Sequence, residues 1–261
     1  MSDTLFISIF IFLVLTVVFG YRLTNNRFGY RAAEKLRIFQ TIVFLALFAF
    51  HGVRTMQIAP FFLLLFLGFM ISFFLEHLGV SRGWIFGSYH YTDTACPLPK
   101  IGGVPLCYPL AWAGLIYAGF WTVLLWVQPI NGQIQLSWSV IARTALVVTI
   151  IDLILDPVAV DEKRWIWKHR GKYYGVPWTN FVGWIITVTV IMFIFRQMQA
   201  GELTINYYSP LSRIYPSMGF AVLAAVSVRP CIERRLYIPA IIGVMTSITI
   251  IIKTVDLLTG I

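Results

Sequence analysis

The sequence predicts an all-α integral membrane protein of about eight transmembrane helices with a parallel internal repeat. Composition, the lengths of the apolar runs and the placement of the cations carry that reading. Of 261 residues, 59% are apolar, 16% aromatic and 12% charged, and the mean hydropathy is +0.80. A soluble domain carries roughly a quarter charged residues, so a secreted, disordered or cytosolic chain is excluded. One membrane domain over residues 1–261 is expected.

Apolar runs of about 17–25 residues, the length that crosses a bilayer, lie near 4–21, 36–53, 58–76, 106–127, 137–156, 181–197, 213–229 and 237–257. The first has no basic segment before it and no small-residue cleavage site after it, so it reads as a retained span rather than a signal peptide. The second is the weakest, because Gln40 and His51 interrupt it and Arg54 closes it. Between spans, the odd-numbered connections hold 15 Lys and Arg and the even-numbered ones 3. The positive-inside rule then puts the N-terminus outside and connections 77–105 and 157–180 in the cytoplasm, for a protein of the cell membrane. The same distribution accounts for the net charge of +9 without a nucleic acid, which would require clustered cations. Cys96, Cys107 and Cys231 have neither metal-ligand nor paired spacing, so neither a zinc site nor a disulfide framework is expected.

Connections 77–105 and 157–180 collect the chemically interesting side chains, and they echo one another. Gly103-Val104-Pro105 is followed seven residues after its proline by Trp112, and Gly175-Val176-Pro177 by Trp184 at the same distance. A Gly-x-Tyr precedes each, Gly87-Ser88-Tyr89 and Gly171-Lys172-Tyr173, and acids end the spans upstream, Glu76 in one and Asp152 with Asp156 in the other. Both units enter the membrane in the same direction. A parallel repeat would therefore set Glu76 and the Asp152/Asp156 pair at matching depths around a shared cavity. Proline at helix starts and tryptophan at interfaces are a plainer source for part of the echo.

Carboxylates inside a span cost about 2.5–3.5 kcal/mol at mid-bilayer and less near its ends, so they usually face cavities and mark function. Asp152 and Asp156 are four apart and share one helix face, an arrangement suited in apolar surroundings to holding and donating a proton. Plainer roles exist: Asp156 precedes Pro157 and could organise a turn, and Glu76 with His77 could pair with Arg82 at the surface. Asp161 and Glu162 beside Lys163 and Arg164 read as solvated charge, and Asp256 with Lys253 as an ion pair in the last span. Most aromatic rings of the two connections, Trp165 and Trp167 among them, read as an interfacial belt. His51, His77, His90 and His169 are too widely spaced for a membrane di-iron site, and no metal or cofactor motif is present.

Four stretches then become recognisable together: Glu76 to Tyr91 (EHLGVSRGWIFGSYHY), Gly103 to Leu106 (GVPL), Asp152 to Val158 (DLILDPV) and Gly171 to Trp184 (GKYYGVPWTNFVGW). With them the chain resembles the membrane carotenoid 1,2-hydratases, the family of γ-carotene 1',2'-hydratases and bisanhydrobacterioruberin hydratases. The resemblance covers most of the chain and is strongest over 76–184. It implies cofactor-free addition of water across the terminal isoprenoid double bond of a carotenoid, giving a tertiary alcohol. On that reading Asp152 or Glu76 donates the proton and Asp156 holds water or its partner's proton. Trp84, Tyr89, Tyr91, Trp112, Tyr173, Tyr174, Trp178, Asn180 and Trp184 would surround the reacting end. The partners that the resemblance implies are a carotenoid taken from the bilayer and water, with other carotenoid-pathway enzymes docking on the basic loops.

Two other readings share the pattern. A membrane prenyltransferase of the UbiA type would use Asp152 and Asp156 as half of a diphosphate-metal motif, but its second aspartate cluster has no counterpart here. A lipid-binding protein or proton-coupled transporter would use paired carboxylates and a repeat that rocks between two access states.

Overall fold

The computed structural model describes residues 3–199 and 201–260. Among them, eight helices are long and apolar enough to cross a membrane: α1 (Asp3–Phe28), α2 (Tyr30–Thr55), α3 (Ile58–Arg82), α4 (Cys107–Leu124), α5 (Trp138–Asp161), α6 (Trp178–Met198), α7 (Tyr215–Glu233) and α8 (Tyr237–Thr259). This is the expected all-α membrane architecture, and each expected span overlaps one helix. Whereas α4 ends at Leu124, inside its expected run of 106–127, most of the helices outrun their apolar cores because capping residues lie beyond the bilayer-length run. Thus α3 continues to Arg82 and stops at Gly83, whose left-handed backbone directs its N–H back to Gly79 O at 2.9 Å. The fifth span, expected to end at Asp156, continues through Pro157 to Asp161. A proline inside a helix leaves the carbonyl four residues earlier without its donor. Here that carbonyl, Leu153 O, accepts the Tyr173 hydroxyl at 3.0 Å.

The two echoing units form the centre of the molecule. Helices α3 and α4 pack on each other, as do α5 and α6, and α4 with α5 and α3 with α6 close the four into a ring. α4 is the most enclosed span, and α7 and α8 pack against the ring from outside. The outer face of α8, including Ile241, Met245, Ile248 and Ile252, stays exposed, as expected of a surface whose solvent is lipid.

Short strands join the units on the loop face. Strand β1 (Tyr89–Tyr91) pairs antiparallel with β5 (Trp165–Trp167), with Tyr89 opposite Trp167, His90 opposite Ile166 and Tyr91 opposite Trp165. The next two strands, β2 (Lys100–Ile101) and β3 (Val104–Pro105), make a hairpin, while β4 (Gln133–Gln135) pairs with β6 (Glu202–Thr204) on two other connections. The β1–β5 register has the symmetry of a local two-fold between the units. Trp112 and Trp184, the tryptophans that end the echo, stack on each other at 3.6 Å. Gly103 and Gly175 both have positive φ, and a Cβ on either would press on a valine of the preceding helix, Val80 or Val160. The Gly-x-Tyr element of the echo does not superpose in this way. Tyr89 lies in β1, whereas Tyr173 lies in a tight turn closed by Gly171–Gly175 and Tyr173–Val176 bridges.

Two further expectations need correction. Cys96 and Cys107 are disulfide-bonded, because the β2–β3 hairpin folds the intervening segment back on itself, a closure that spacing alone does not reveal. Nor are Arg164 and Glu162 solvated charges. Arg164 is buried and binds Glu34 at 2.8 Å and Glu162 at 2.6 Å, and Glu162 also takes Arg234 at 2.7 Å. Burial opposes the charge on Arg164, but the Glu34 hydrogen bonds and the charges of Glu162 and Glu34 outweigh it and hold the guanidinium more firmly protonated than usual. Lys253 and Asp256 do form the expected pair, at 3.3 Å.

Candidate functional site

The three membrane carboxylates are buried at the loop end of the helix ring. Glu76 is 1% exposed, Asp152 0% and Asp156 4%, which removes the surface pairing of Glu76 with Arg82. Asp152 and Asp156 occupy one face of α5, and Asn180, in the first turn of α6, faces both. Its side-chain nitrogen donates to Asp152 Oδ2 and to Asp156 Oδ2, each at 2.7 Å. The other Asp152 oxygen, Oδ1, is buried without a hydrogen-bond partner among the described residues. Across from the pair, the Tyr91 hydroxyl donates to Glu76 Oε2 at 2.5 Å. Burial, and next the neighbouring Glu76 carboxylate, push the Tyr89 and Tyr91 hydroxyls well above the ordinary phenol range, so both stay protonated.

A cavity opens among these groups. Glu76, Asp156 and Asn180 supply its polar wall; Phe86, Tyr89, Tyr91, Tyr108, Trp112, Trp165, Trp167 and Trp184 supply the rest. It leaves about 30 Å³ for the centres of water molecules, enough for a water or two. The aromatic wall is fixed from several sides. Trp167 Nε1 donates to Phe86 O at 3.1 Å, and the Phe86 ring lies on Gly183, where any Cβ would clash with it at 2.6 Å. Phe86 also packs on Trp184, with ring centres 5.1 Å apart. Such an enclosure presents carboxyls to an apolar ligand and aromatic faces to any positive charge that develops on it.

Of the residues expected around the reacting end, the structure brings Glu76, Asp156, Tyr89, Tyr91, Trp112, Asn180 and Trp184 to one cavity. Asp152 stands behind that wall, joined to it through Asn180. Four others lie elsewhere. Trp84 and Trp178 are exposed, at 57% and 73%, where interfacial anchors belong. Tyr173 is committed to the carbonyl freed by Pro157, and the Tyr174 hydroxyl accepts Ile238 N at 3.3 Å.

Phe86, Tyr108, Trp165 and Trp167 complete the wall and were not anticipated there. A signal for two of them, Trp165 and Trp167, exists in the sequence. Tyr89-His90-Tyr91 and Trp165-Ile166-Trp167 alternate with period two, and in paired strands such residues share one face. For Tyr108 no local pattern points to the site. Among the described residues no three His, Cys, Asp or Glu side chains converge as a metal site.

Comparison with known proteins gives two matches. The family model described as "Carotenoid biosynthesis protein" covers residues 36–250. A curated relative, the bisanhydrobacterioruberin hydratase of Haloarcula japonica, is 33% identical over 135 residues, which is 51% of this chain and 44% of the relative. The match thus spans less than half of that relative's length. No solved structure matches the chain.

Proposed function

Because the chain belongs to the carotenoid biosynthesis protein family, matched over residues 36–250, we propose that its aromatic-walled carboxylate cavity adds water to the terminal isoprenoid double bond of a carotenoid. The observation that carries this reading is the facing of Glu76 and Asp156 across a cavity of water size lined by eight aromatic rings. The curated relative, named as a hydratase, supports the reaction class. The reaction needs no redox partner, because one alkene and one water give one alcohol.

In this mechanism the Asp152–Asp156 pair carries the proton, and Asp156, which reaches the cavity wall, delivers it to the less substituted alkene carbon. The π pair forms the new C–H bond and leaves a tertiary cation on the neighbouring carbon. The Trp112–Trp184 stack, Tyr89 and Trp167 face that charge, and aromatic faces attract cations by about 0.5–2 kcal/mol each. Water held by Glu76 adds its lone pair to the cation and gives a proton to the Glu76 carboxylate. Tyr91 orients Glu76 through the 2.5 Å hydrogen bond. A proton passing from Glu76 back to the aspartate pair resets the site. General acid–base assistance of this kind contributes about 10²–10⁴-fold.

The test is expression in a host that makes lycopene or γ-carotene, followed by chromatography and mass spectrometry. The expected product is heavier by one water with its polyene absorption unchanged, and Asp156→Asn and Glu76→Gln each lose it. Unaltered pigment from membranes containing the protein, with a fifty-carbon precursor also left unchanged, would refute hydration.

A further inference from the structure

The carboxylate cavity has a larger neighbour, a cleft between α2 and α4 that leaves about 120 Å³ for water centres against about 30 Å³. Ile38 and Ile42 from α2 and Leu110 and Ala111 from α4 line its length, and Ile42 is 51% exposed on the outer surface. At the loop end, the buried Glu34–Arg164 ion pair closes it. Tyr108 is the one described residue that lines both spaces.

The carboxylate cavity is also weakest on that side. Of its eleven wall residues, all are buried except Tyr91, Tyr108 and Trp165. These three pack on one another. Tyr91 stacks on Tyr108 at 4.9 Å, and Trp165 meets Tyr108 edge-on at 5.3 Å and Tyr91 at 5.8 Å. The Tyr108 ring is held by a hydrogen bond from its hydroxyl to Ala95 O at 2.6 Å. Beside it, the Cys96–Cys107 bond ties the same loop to the start of α4. Tyr108 is therefore the ring that separates the two spaces.

We propose that the α2–α4 cleft receives the isoprenoid chain of the substrate from the lipid, and that Tyr108 is the gate its terminus passes to reach Asp156 and Glu76. This rests on the hydration reading for the identity of the ligand. A hydrocarbon moving from lipid into an apolar cleft loses no hydration and needs no polar channel. Entry from the loop end would instead drive the chain past Glu34 and Arg164, breaking a buried pair that leaves each partner uncompensated. The small carboxylate cavity has no room for a branched terminus until the Tyr108 ring turns aside.

The test uses the full chain in lipid nanodiscs with lycopene as the probe, reading retained lycopene per chain and the dependence of hydration on lycopene concentration. Ile42→Trp and Leu110→Trp fill the cleft; Ile248→Trp, on the exposed face of α8, is the control. Each filling variant is expected to lower kcat/KM by about tenfold or more through KM and to reduce retained lycopene, while the control stays within about twofold. Leu110→Cys, labelled with a maleimide after folding, gives a readout that does not depend on tolerating the larger side chain, and lycopene is expected to protect it. Wild-type retention and kinetics in both filling variants, or labelling that lycopene does not slow, would overturn the proposal. Lycopene that is retained by the wild type and displaced by the filling variants, yet never gains a water, would leave the cleft standing and remove the hydration reading instead.

Discussion

Asn180 offers the sharpest perturbation, because one side-chain nitrogen serves two buried carboxyls. Asn180→Leu keeps the volume and removes both 2.7 Å hydrogen bonds. Hydrogen bonds to charged groups contribute about 1.5–3 kcal/mol each, so the two together are worth about 3–6 kcal/mol if nothing replaces them. Asp152 and Asp156 are one turn apart, and a proton shared between them recovers one such bond. The net loss of stability is then about 1.5–3 kcal/mol. The rate should fall further than stability accounts for, because Asp156 loses the group that aims it into the cavity; a loss of about 10²-fold corresponds to about 2.7 kcal/mol of barrier. Thermal unfolding in nanodiscs measures the first quantity, and hydration of lycopene by folded protein below the melting range measures the second. Thr187→Val is the control. Thr187 lies on the same helix, and its hydroxyl bonds Gly183 O four residues back, so its loss should cost under about 1 kcal/mol. An Asn180→Leu protein that melts and turns over like the Thr187→Val protein would refute the idea that Asn180 organises the acid.

Tyr91→Phe keeps the ring on Tyr108 and removes the donor to Glu76; the expected cost is about 1–3 kcal/mol, seen as a lower kcat with folding retained, and an unchanged kcat would take Tyr91 out of the positioning role. Since the Tyr91 hydroxyl is raised well above its ordinary value, it donates below that raised value and is lost only as pH climbs through it. Wild-type activity should therefore show no tyrosine-dependent fall near pH 10, and a falling limb there that disappears in Tyr91→Phe would contradict the placement. Arg164→Met strands the buried Glu34 carboxylate, with Arg37 at 3.4 Å left as partial compensation. A melting shift equivalent to about 3 kcal/mol is expected, the low end for breaking a buried pair, with most of it restored by adding Glu34→Leu; a single variant as stable as the wild type would show the pair to be idle. Exhaustive chelation with EDTA should leave hydration within about twofold of its starting rate, whereas a loss restored by magnesium would mean that Asp152 and Asp156 act through a metal.

Much of the scaffold can be read from the chain because its causes are local. Bilayer thickness fixes the length of an apolar run, so each of the eight helices appears as a stretch of composition. The four-residue spacing of Asp152 and Asp156 places them on one face of α5 whatever surrounds it. The Gly-Val-Pro turns are legible too, since positive φ at Gly103 and Gly175 is a property of the turn itself. Reading fails where a residue answers to a distant partner. The fifth helix runs past Pro157 because Tyr173, twenty residues on from Leu153, satisfies the carbonyl that the proline leaves free, and Arg164 turns inward out of the charged run because Glu34 waits 130 residues away.

The sequence by itself therefore determined a helical membrane protein, two echoing units and three acids set into span ends. Hydropathy and helical period act along one helix and need no knowledge of its neighbours. The tertiary structure decided which aromatic rings meet those acids. Pairing of β1 with β5 turned Tyr89, Tyr91, Trp165 and Trp167 into one wall, stacking of Trp112 on Trp184 closed it, and packing of α4 beside α2 put Tyr108 between two cavities. A cavity exists only through the relative placement of helices and strands from different units, and no pattern within one segment specifies that placement.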